Sequence, residues 1–475
     1  MLLSKILDGV EILSEYQDCD ILDITNNSKC NLKNKLFFCI QGEKFDGHDY
    51  AQEAILKGAL AVVSQKDLGI ENQIIVQDTK KAYAVACSHY FNDAHKNVKL
   101  IAITGTNGKT SVATITAHIL NQSQIKTGLI STIKATALDY EKYIDNTTPD
   151  AYTLHQIISD MYLLGCEVIC MEASSHALKQ ERLYGLTFEV GAFTNLTQDH
   201  LDYHKTMQDY FESKKKLFSQ SKIGIVNIDD DYGKKIFEQF NGIQTFSCAT
   251  KESDYYAKDI TYKNVGVDYT FCYKSIETKI HFDVPGLHFV KNSLLAIAIC
   301  MNMGASITSI RNSLLEFKGV SGRSEIIEFN DKFTVICDYA HTPDGLENII
   351  NSVKAYCNGK VIVLFGCGGD RDKSKRALMG EKATMLADFT VITSDNPRTE
   401  NPKLIINDIL KGAKIDKNYI AIENRNDAIK YAISIAKQGD VILLCGKGHE
   451  DYIQIADKKL YYSEKSIIKH AISQL

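Results

Sequence analysis

No C-x-x-C pair occurs among the thirteen cysteines, so the spacing that marks zinc sites or thioredoxin-type chemistry is missing. The odd count is spread through apolar segments (Cys39, Cys170, Cys300, Cys445), which reads as reduced core thiols in a cytoplasmic protein. No apolar run approaches the ~20 residues a bilayer requires, so no membrane partner is expected. Met1 to Leu13 is broken by Lys5, Asp8 and Glu11, which argues against a signal-peptide core. Neither charge sign dominates. A net charge of −5 gives no reason to expect a nucleic-acid partner, and any bound phosphate must be held by a local site. What is present is the composition of a soluble globular protein, 44% hydrophobic and 24% charged. At 475 residues the chain exceeds the size of a single core, so two or three domains are expected.

The most informative stretch is Gly105-Thr106-Asn107-Gly108-Lys109-Thr110-Ser111. An apolar strand, Leu100 to Ile103, precedes it, and a helical pattern follows from Val112 to Leu120. Converging backbone N–H groups, a lysine charge and a helix N-terminus make a phosphate cradle, and Thr110 or Ser111 can hold Mg²⁺. The usual P-loop has four residues between its glycines, whereas Gly105 and Gly108 enclose only two. An ordinary strand–turn–helix with a surface lysine shares the same outline.

Further along, Leu36 to Ile40 and Leu60 to Ser64 are strand-like, and Tyr50 to Lys57 is helical. Asn146-Thr147-Thr148-Pro149-Asp150 precedes a helix; its hydroxyls can cap that helix or meet a ligand. The strand Val168 to Met171 ends in Glu172, where α/β proteins place ligands, although a strand-end surface glutamate has the same appearance. Val190 to Thr194 opens into Asn195 to His204, a run carrying His200 and His204 beside Asp199 and Asp202, which suits metal or acid–base work. Lys214-Lys215-Lys216 lies on a predicted helix from Met207 to Phe218 and reads as a solvated face. Residues 243 to 283 alternate as an antiparallel excursion ended by Pro285-Gly286. His288 to Met303 is an apolar helix carrying Asn292.

A link at Gly319 to Ser324 leads to a doubly wound pattern with strands Thr334–Cys337, Val361–Phe365, Phe389–Thr393 and Val441–Cys445. Each ends in a charged or glycine-rich segment, which suits a small zwitterionic substrate at one rim. A dinucleotide site at Gly366-Cys367-Gly368-Gly369 is excluded, because Arg371 stands where the third glycine belongs.

Taken in order, GTNGKTS (105–111), MEASSH (171–176), TNLTQDHLDYH (194–204), GCGGDR (366–371), DNPR (395–398) and GKGHE (446–450) resemble the Mur ligase family over essentially the whole chain. They most resemble its branch that adds meso-diaminopimelate to UDP-N-acetylmuramoyl-L-alanyl-D-glutamate in peptidoglycan precursor synthesis. The short loop is that family's ordinary form. The resemblance implies an α/β fold of three domains: a small UDP-substrate domain (1–96), a central P-loop ATPase-like domain with a mainly parallel sheet (97–320), and a C-terminal Rossmann-like domain (321–475). It implies a monomer that phosphorylates the substrate carboxylate with ATP and lets an amine attack the acyl phosphate.

By the same resemblance, Lys109 bridges phosphates within Gly105–Ser111, and Asn292, Arg323 and Asp338 surround the nucleotide. Thr110, Glu172 and His200 hold Mg²⁺, and Lys214 is carbamylated to N6-carboxylysine. Ser28 meets the uridine end, with Asn27 in place of the family's commoner Asp. Asn146, Thr147, Thr148, Ser174, Gln180 and Arg182 hold the muramoyl dipeptide. Arg371, Asp395, Asn396, Pro397, Arg398, Gly446 and Glu450 receive diaminopimelate. The rivals are a lysine-adding ligase, against which Arg398 argues, a folylpolyglutamate synthetase, and a nucleotide-gated binding protein without turnover.

Overall fold

Short buried strands alternate with amphipathic helices along the whole sequence, and the computed structural model follows that alternation. It describes every residue except 43–44, 264–265, 285, 330–331 and 475. The chain forms two compact units, crossing between them several times. The first comprises residues 1–104, 124–192 and 213–224; the second comprises 105–123, 193–212 and 225–475.

In the first unit, β1 (Asp23–Thr25), β2 (Lys35–Phe38), β3 (Ala61–Ser64) and β4 (Gln73–Ile75) form a parallel sheet in that order. Both faces are covered, which is why β2 reads as an unbroken apolar run. Leu36 and Phe38 pack with Tyr83, Ala86 and Cys87 of helix Thr79–Tyr90, while Phe37 packs with Ala51 and Ala54 of helix Ala51–Leu56. The same unit holds β5 (Lys99–Thr104), β6 (Thr127–Ile130), β7 (Ala135–Ala137), β8 (Tyr140–Lys142), β9 (Val168–Glu172) and, as far as Ala192, β10 (Phe188–Phe193), in the order β10-β5-β9-β6-β7-β8. Strands β5, β9 and β6 are parallel, whereas β7 and β8 are antiparallel additions at the edge. β11 (Ser221–Asn227) carries the chain into the second unit.

There β12 (Ile243–Ser247) pairs in parallel with β13 (Tyr255–Tyr262), and β13, β14 (Val267–Tyr273) and β15 (Ile276–Phe282) make the expected antiparallel meander. Pro285, expected to end it, lies outside the described residues. Helix Leu287–Asn302, apolar throughout Leu294 to Met301, packs on helix Lys109–Gln122. The last sheet contains β16 (Glu325–Phe329), β17 (Phe333–Asp338), β18 (Val361–Phe365), β19 (Phe389–Ile392), β20 (Tyr419–Ala421) and β21 (Asp440–Cys445). Their order is β16-β17-β21-β18-β19-β20, parallel except for β16. Val361, Val363 and Phe365 face one helical layer, and Ile362 and Leu364 face the other. A separate hairpin, β22 (Tyr452–Ile455) and β23 (Lys458–Tyr461), follows. Among the described residues no helix is long and apolar enough to cross a membrane.

Candidate active site

β5 ends at Thr104, and the next four residues turn into helix Lys109–Gln122. Two of them must be glycine. Gly105 has φ +146°, and a Cβ there would lie 1.8 Å from Thr194 Oγ1; Gly108 has φ +88°, with a Cβ 2.6 Å from Asn292 Oδ1. The second contact places Asn292 beside the loop, as expected of it. The segment after β10 clasps the turn. Thr106 N donates to Asn195 O (2.8 Å), Asn107 N to Asn195 Oδ1 (3.0 Å), and Thr194 Oγ1 to Asn107 O (2.6 Å). Lys109 Nζ curls back onto the Gly105 and Thr106 carbonyls, both at 2.9 Å, so its ammonium stands over the turn. Ser111 is buried in the first helical turn. A phosphate arriving here meets a helix N-terminus and a lysine, both favourable to negative charge.

Arg323 and Asp338 reach the same region. Arg323 Nη2 donates to Thr110 Oγ1 at 3.1 Å, and its guanidinium lies 4.5 Å above the Tyr339 ring, a cation–π contact. Asp338 accepts from Ser324 N and Ala340 N, each at 2.7 Å, and so ties the 319–324 link to the end of β17. Burial raises the Asp338 pKa, with Arg323 opposing. The link is tied a second time at Gly322, whose Cβ would fall 2.1 Å from His449 N.

Two further carboxylates stand here, Asp344 and, from the acid–base run after β10, Asp199. Asp344 Oδ2 accepts from Asn107 Nδ2 at 3.1 Å. Asp199 lies 3.4 Å from His200 Nε2, 3.7 Å from His341 Nε2 and 3.4 Å from Lys375 Nζ. Burial pushes the Asp199 pKa up, but His200, Lys375 and His341 outweigh it and hold the carboxyl well below its usual range.

The expected amino-acid residues converge at the ends of β18, β19 and β21. Arg398 Nη1 donates to Gly369 O at 2.8 Å. Burial, then the neighbouring Arg371 charge, lowers the Arg398 pKa; two guanidiniums in proximity favour an anion. Asn396 Nδ2 donates to Glu450 Oε2 (2.7 Å), and Tyr339 OH to Glu450 Oε1 (3.3 Å). Burial, then the Asp395 charge, raises the Glu450 pKa, and this pair of carboxylates favours a cation. Gly446 has φ +111°, and its Cβ would lie 2.6 Å from Asp395 Oδ2. Gly369 is needed because a Cβ would fall 1.9 Å from Pro397 O. The glycine run that lacks a dinucleotide fingerprint therefore serves close approach of the Asp395–Arg398 segment.

The first unit holds the remaining candidates. Glu172 is 1% exposed, and its oxygens accept from Thr132 N (2.7 Å) and Thr132 Oγ1 (3.1 Å). No basic side chain among the described residues pairs with it. Thr148 does not cap the following helix; Asp150 does, accepting from Tyr152 N and Thr153 N. Thr148 Oγ1 instead donates to Glu172 O (2.7 Å) and accepts from Ser174 N (2.9 Å). Arg182 bonds Thr148 O (2.7 Å) and, through Nε and Nη2, Gln180 Oε1. Thr147 Oγ1 lies 3.1 Å from Thr132 Oγ1, while Asn146 is exposed. Lys214 does not belong to a solvated face, being 1% exposed in helix Met207–Ser219. At the N-terminal loop, Asn27 Oδ1 accepts from Lys29 N (3.0 Å), a self-contained turn, and Ser28 O accepts from Lys57 Nζ (3.2 Å).

A strand–glycine–lysine–helix cradle, joined in the second unit by Arg323 and a charged rim of both signs, defines a nucleotide-dependent α/β enzyme. Residues 24–103 match the family model described as Mur ligase family, catalytic domain; 103–300 match the Mur ligase middle domain; and 322–448 match the Mur ligase glutamate ligase domain. The chain belongs to the Mur ligase family. It is similar to the UDP-N-acetylmuramoyl-L-alanyl-D-glutamate–2,6-diaminopimelate ligase of Clostridium tetani, with 42% identity and 100% of each chain covered. It is also similar to such a ligase of Clostridium acetobutylicum, with 41% identity and 100% of each chain covered. A solved structure of a ligase of that name superposes with TM-score 0.73 at 28% identity, covering 100% of this chain and 99% of the other.

Proposed function

We propose that the chain joins meso-diaminopimelate to UDP-N-acetylmuramoyl-L-alanyl-D-glutamate, at the expense of ATP, as a step of peptidoglycan precursor synthesis. The observation that carries this reading is the rim at β18, β19 and β21, where Arg398 and Arg371 favour a carboxylate while Glu450 and Asp395 favour an ammonium. Diaminopimelate is lysine with one extra carboxylate, and that end carries both charges on one carbon. With lysine bound, the two guanidiniums meet no substrate carboxylate.

In the mechanism, residues 105–111 grip the nucleotide, and Lys109 compensates charge on the transferring phosphoryl group. Phosphoryl transfer needs such positioning more than covalent help. Asn292, Arg323 and Asp338 complete the nucleotide's surroundings. Ser28, Asn146, Thr147, Thr148, Ser174, Gln180 and Arg182 hold the UDP-substrate so that its free carboxylate accepts the phosphoryl group. The amine of diaminopimelate, aimed by Arg398, Asn396 and Glu450, then attacks the acyl phosphate, and the C–O bond to phosphate breaks.

Mg²⁺ fits the chemistry of Glu172, a buried carboxylate that has no cationic partner among the described residues. Thr110, Glu172 and His200 would hold it, and the ion would supply further charge neutralisation. Lys214 would carry the carbamate. Residues 1–96, 97–320 and 321–475 act as the UDP-substrate, ATP and amino-acid domains of a cytoplasmic monomer. The test is phosphate release from ATP with the UDP-dipeptide, comparing diaminopimelate with lysine. Turnover with lysine at an equal or higher kcat/KM sinks the reading.

A further inference from the structure

Lys447, in the turn after β21, is completely buried, with 0% side-chain exposure. An ammonium in such a place is costly unless compensated, yet neither nearby carboxylate bonds it directly. Glu450 Oε2 lies 3.6 Å away and Asp395 Oδ1 3.8 Å. Its hydrogen bonds go to neutral oxygens instead, Tyr452 O at 2.7 Å and Asn396 Oδ1 at 3.0 Å. The rings of Tyr452 and Tyr462 flank it at 5.8 and 5.7 Å. Tyr452 begins the β22–β23 hairpin, and Asn396 belongs to the Asp395–Arg398 segment, so one ammonium bridges the two.

The hairpin grips that segment again. Gln454 N donates to the same Asn396 Oδ1 at 2.9 Å. With its oxygen taken by two donors, the Asn396 amide has a single orientation, and its Nδ2 must face Glu450. Arg398 N donates to Gln454 O at 3.1 Å, and Ala456 N donates to Arg398 O at 2.9 Å. This bridge secures Arg398 at φ +51°, a left-handed conformation that a side-chain-bearing residue rarely adopts without support.

We propose that Lys447 and the β22–β23 hairpin form a positioning latch: the buried ammonium ties Tyr452 to Asn396 and thereby aims Glu450 and Arg398 at the incoming amino acid. The latch rests on the reading that this rim receives diaminopimelate. Lys447 is a positioning residue, acting through Asn396.

The test uses the full chain in steady-state phosphate release. Lys447→Met keeps the side chain's length and removes its charge. KM for diaminopimelate should rise about 30-fold or more, as expected when a buried amide loses a charged donor, while KM for ATP and for the UDP-dipeptide stays within about twofold. Asn396→Ala should cause a similar rise. Combining it with Lys447→Met should add less than about threefold, because residues acting as a unit are not additive. Gln454→Pro removes the N–H that meets Asn396 and lies on the hairpin, so it tests the latch even where Lys447→Met fails to fold; about a fivefold rise in the same KM is expected.

An unchanged diaminopimelate KM in Lys447→Met, additive effects in the double variant, or a wild-type KM in Gln454→Pro overturns the latch. Failure of the underlying reading is distinct, since it appears as a wild-type enzyme that does not use diaminopimelate. In that event the same ratios, measured with the amino acid it does use, decide the latch.

Discussion

Replacing Arg398 with alanine separates recognition of the amino acid from everything else the chain does. The side chain is half-buried, lies against Gly369 O, and shares its surroundings with Arg371. A carboxylate bound there accepts charge-assisted hydrogen bonds from a planar fork. Removing one partner of a buried charge pair costs about 3–5 kcal/mol. At ~1.4 kcal/mol per tenfold, and discounted for partial exposure, kcat/KM for diaminopimelate should fall roughly 100- to 1,000-fold. ATP affinity should not move. The backbone gives the experiment an internal control. Alanine at φ +51° keeps the Cβ and its strain, whereas glycine relieves about 1 kcal/mol. Arg398→Gly should therefore match Arg398→Ala in activity loss yet melt roughly 1–3 °C higher. Coupled phosphate release gives the first quantity and scanning calorimetry the second. A variant with wild-type kcat/KM for diaminopimelate refutes the role assigned to the guanidinium, and a glycine variant that melts below the alanine variant refutes the strain.

Three more outcomes are expected. Gly105→Ala places a Cβ 1.8 Å from Thr194 Oγ1 at φ +146°, so the cradle must open and ADP affinity by calorimetry should fall about 100-fold; an unchanged Kd rules this out. Lys214→Ala should abolish ligation and regain part of it when a small carboxylate such as acetate is added, whereas a fully active variant disproves the carbamate. His155 is buried, its Nε2 lacks a hydrogen-bond partner among the described residues, and burial lowers its pKa to about 3. Below about pH 6.5 the unfolded chain therefore binds a proton that the folded chain refuses. Stability from this residue is full above that value and falls toward pH 3, by up to about 1.4 kcal/mol per unit. His155→Leu should flatten the Tm–pH profile there, and an identical slope in both proteins contradicts the argument.

The sheet interior could be read from the sequence because strands covered on both faces are continuously apolar, as at Leu36 to Phe38 and Val361 to Phe365. The edge strands β16 and β20 escaped that reading. Ile326 is exposed, Tyr419 and Ile420 are half-buried, and neither strand carries such a run. The phosphate loop was legible because its glycines and lysine are local. Thr148 was not: it neither caps the helix nor lies free, and its two hydrogen bonds reach residues 24 and 26 positions away. The need for glycine at 369 arises from Pro397 O, and the ion pair of Asp199 with Lys375 spans 176 positions. Such pairs exist only once the chain has folded. The lysine run at 214–216 shows the converse, since Lys214 is buried while Lys216 is exposed; composition cannot separate the two when neighbours on a helix point about 100° apart.

The double tie at the 319–324 link bears on how substrate preference can be exchanged between ligases. Asp338 takes up Ser324 N, and Gly322 lies against the backbone of Gly448 and His449, so the link is built into the loop that carries Glu450. A chimera that borrows the amino-acid pocket from this chain must bring these residues with it. Its splice point belongs upstream of Gly319, because a junction placed between Gly322 and Asp338 would divide a single interlocked piece.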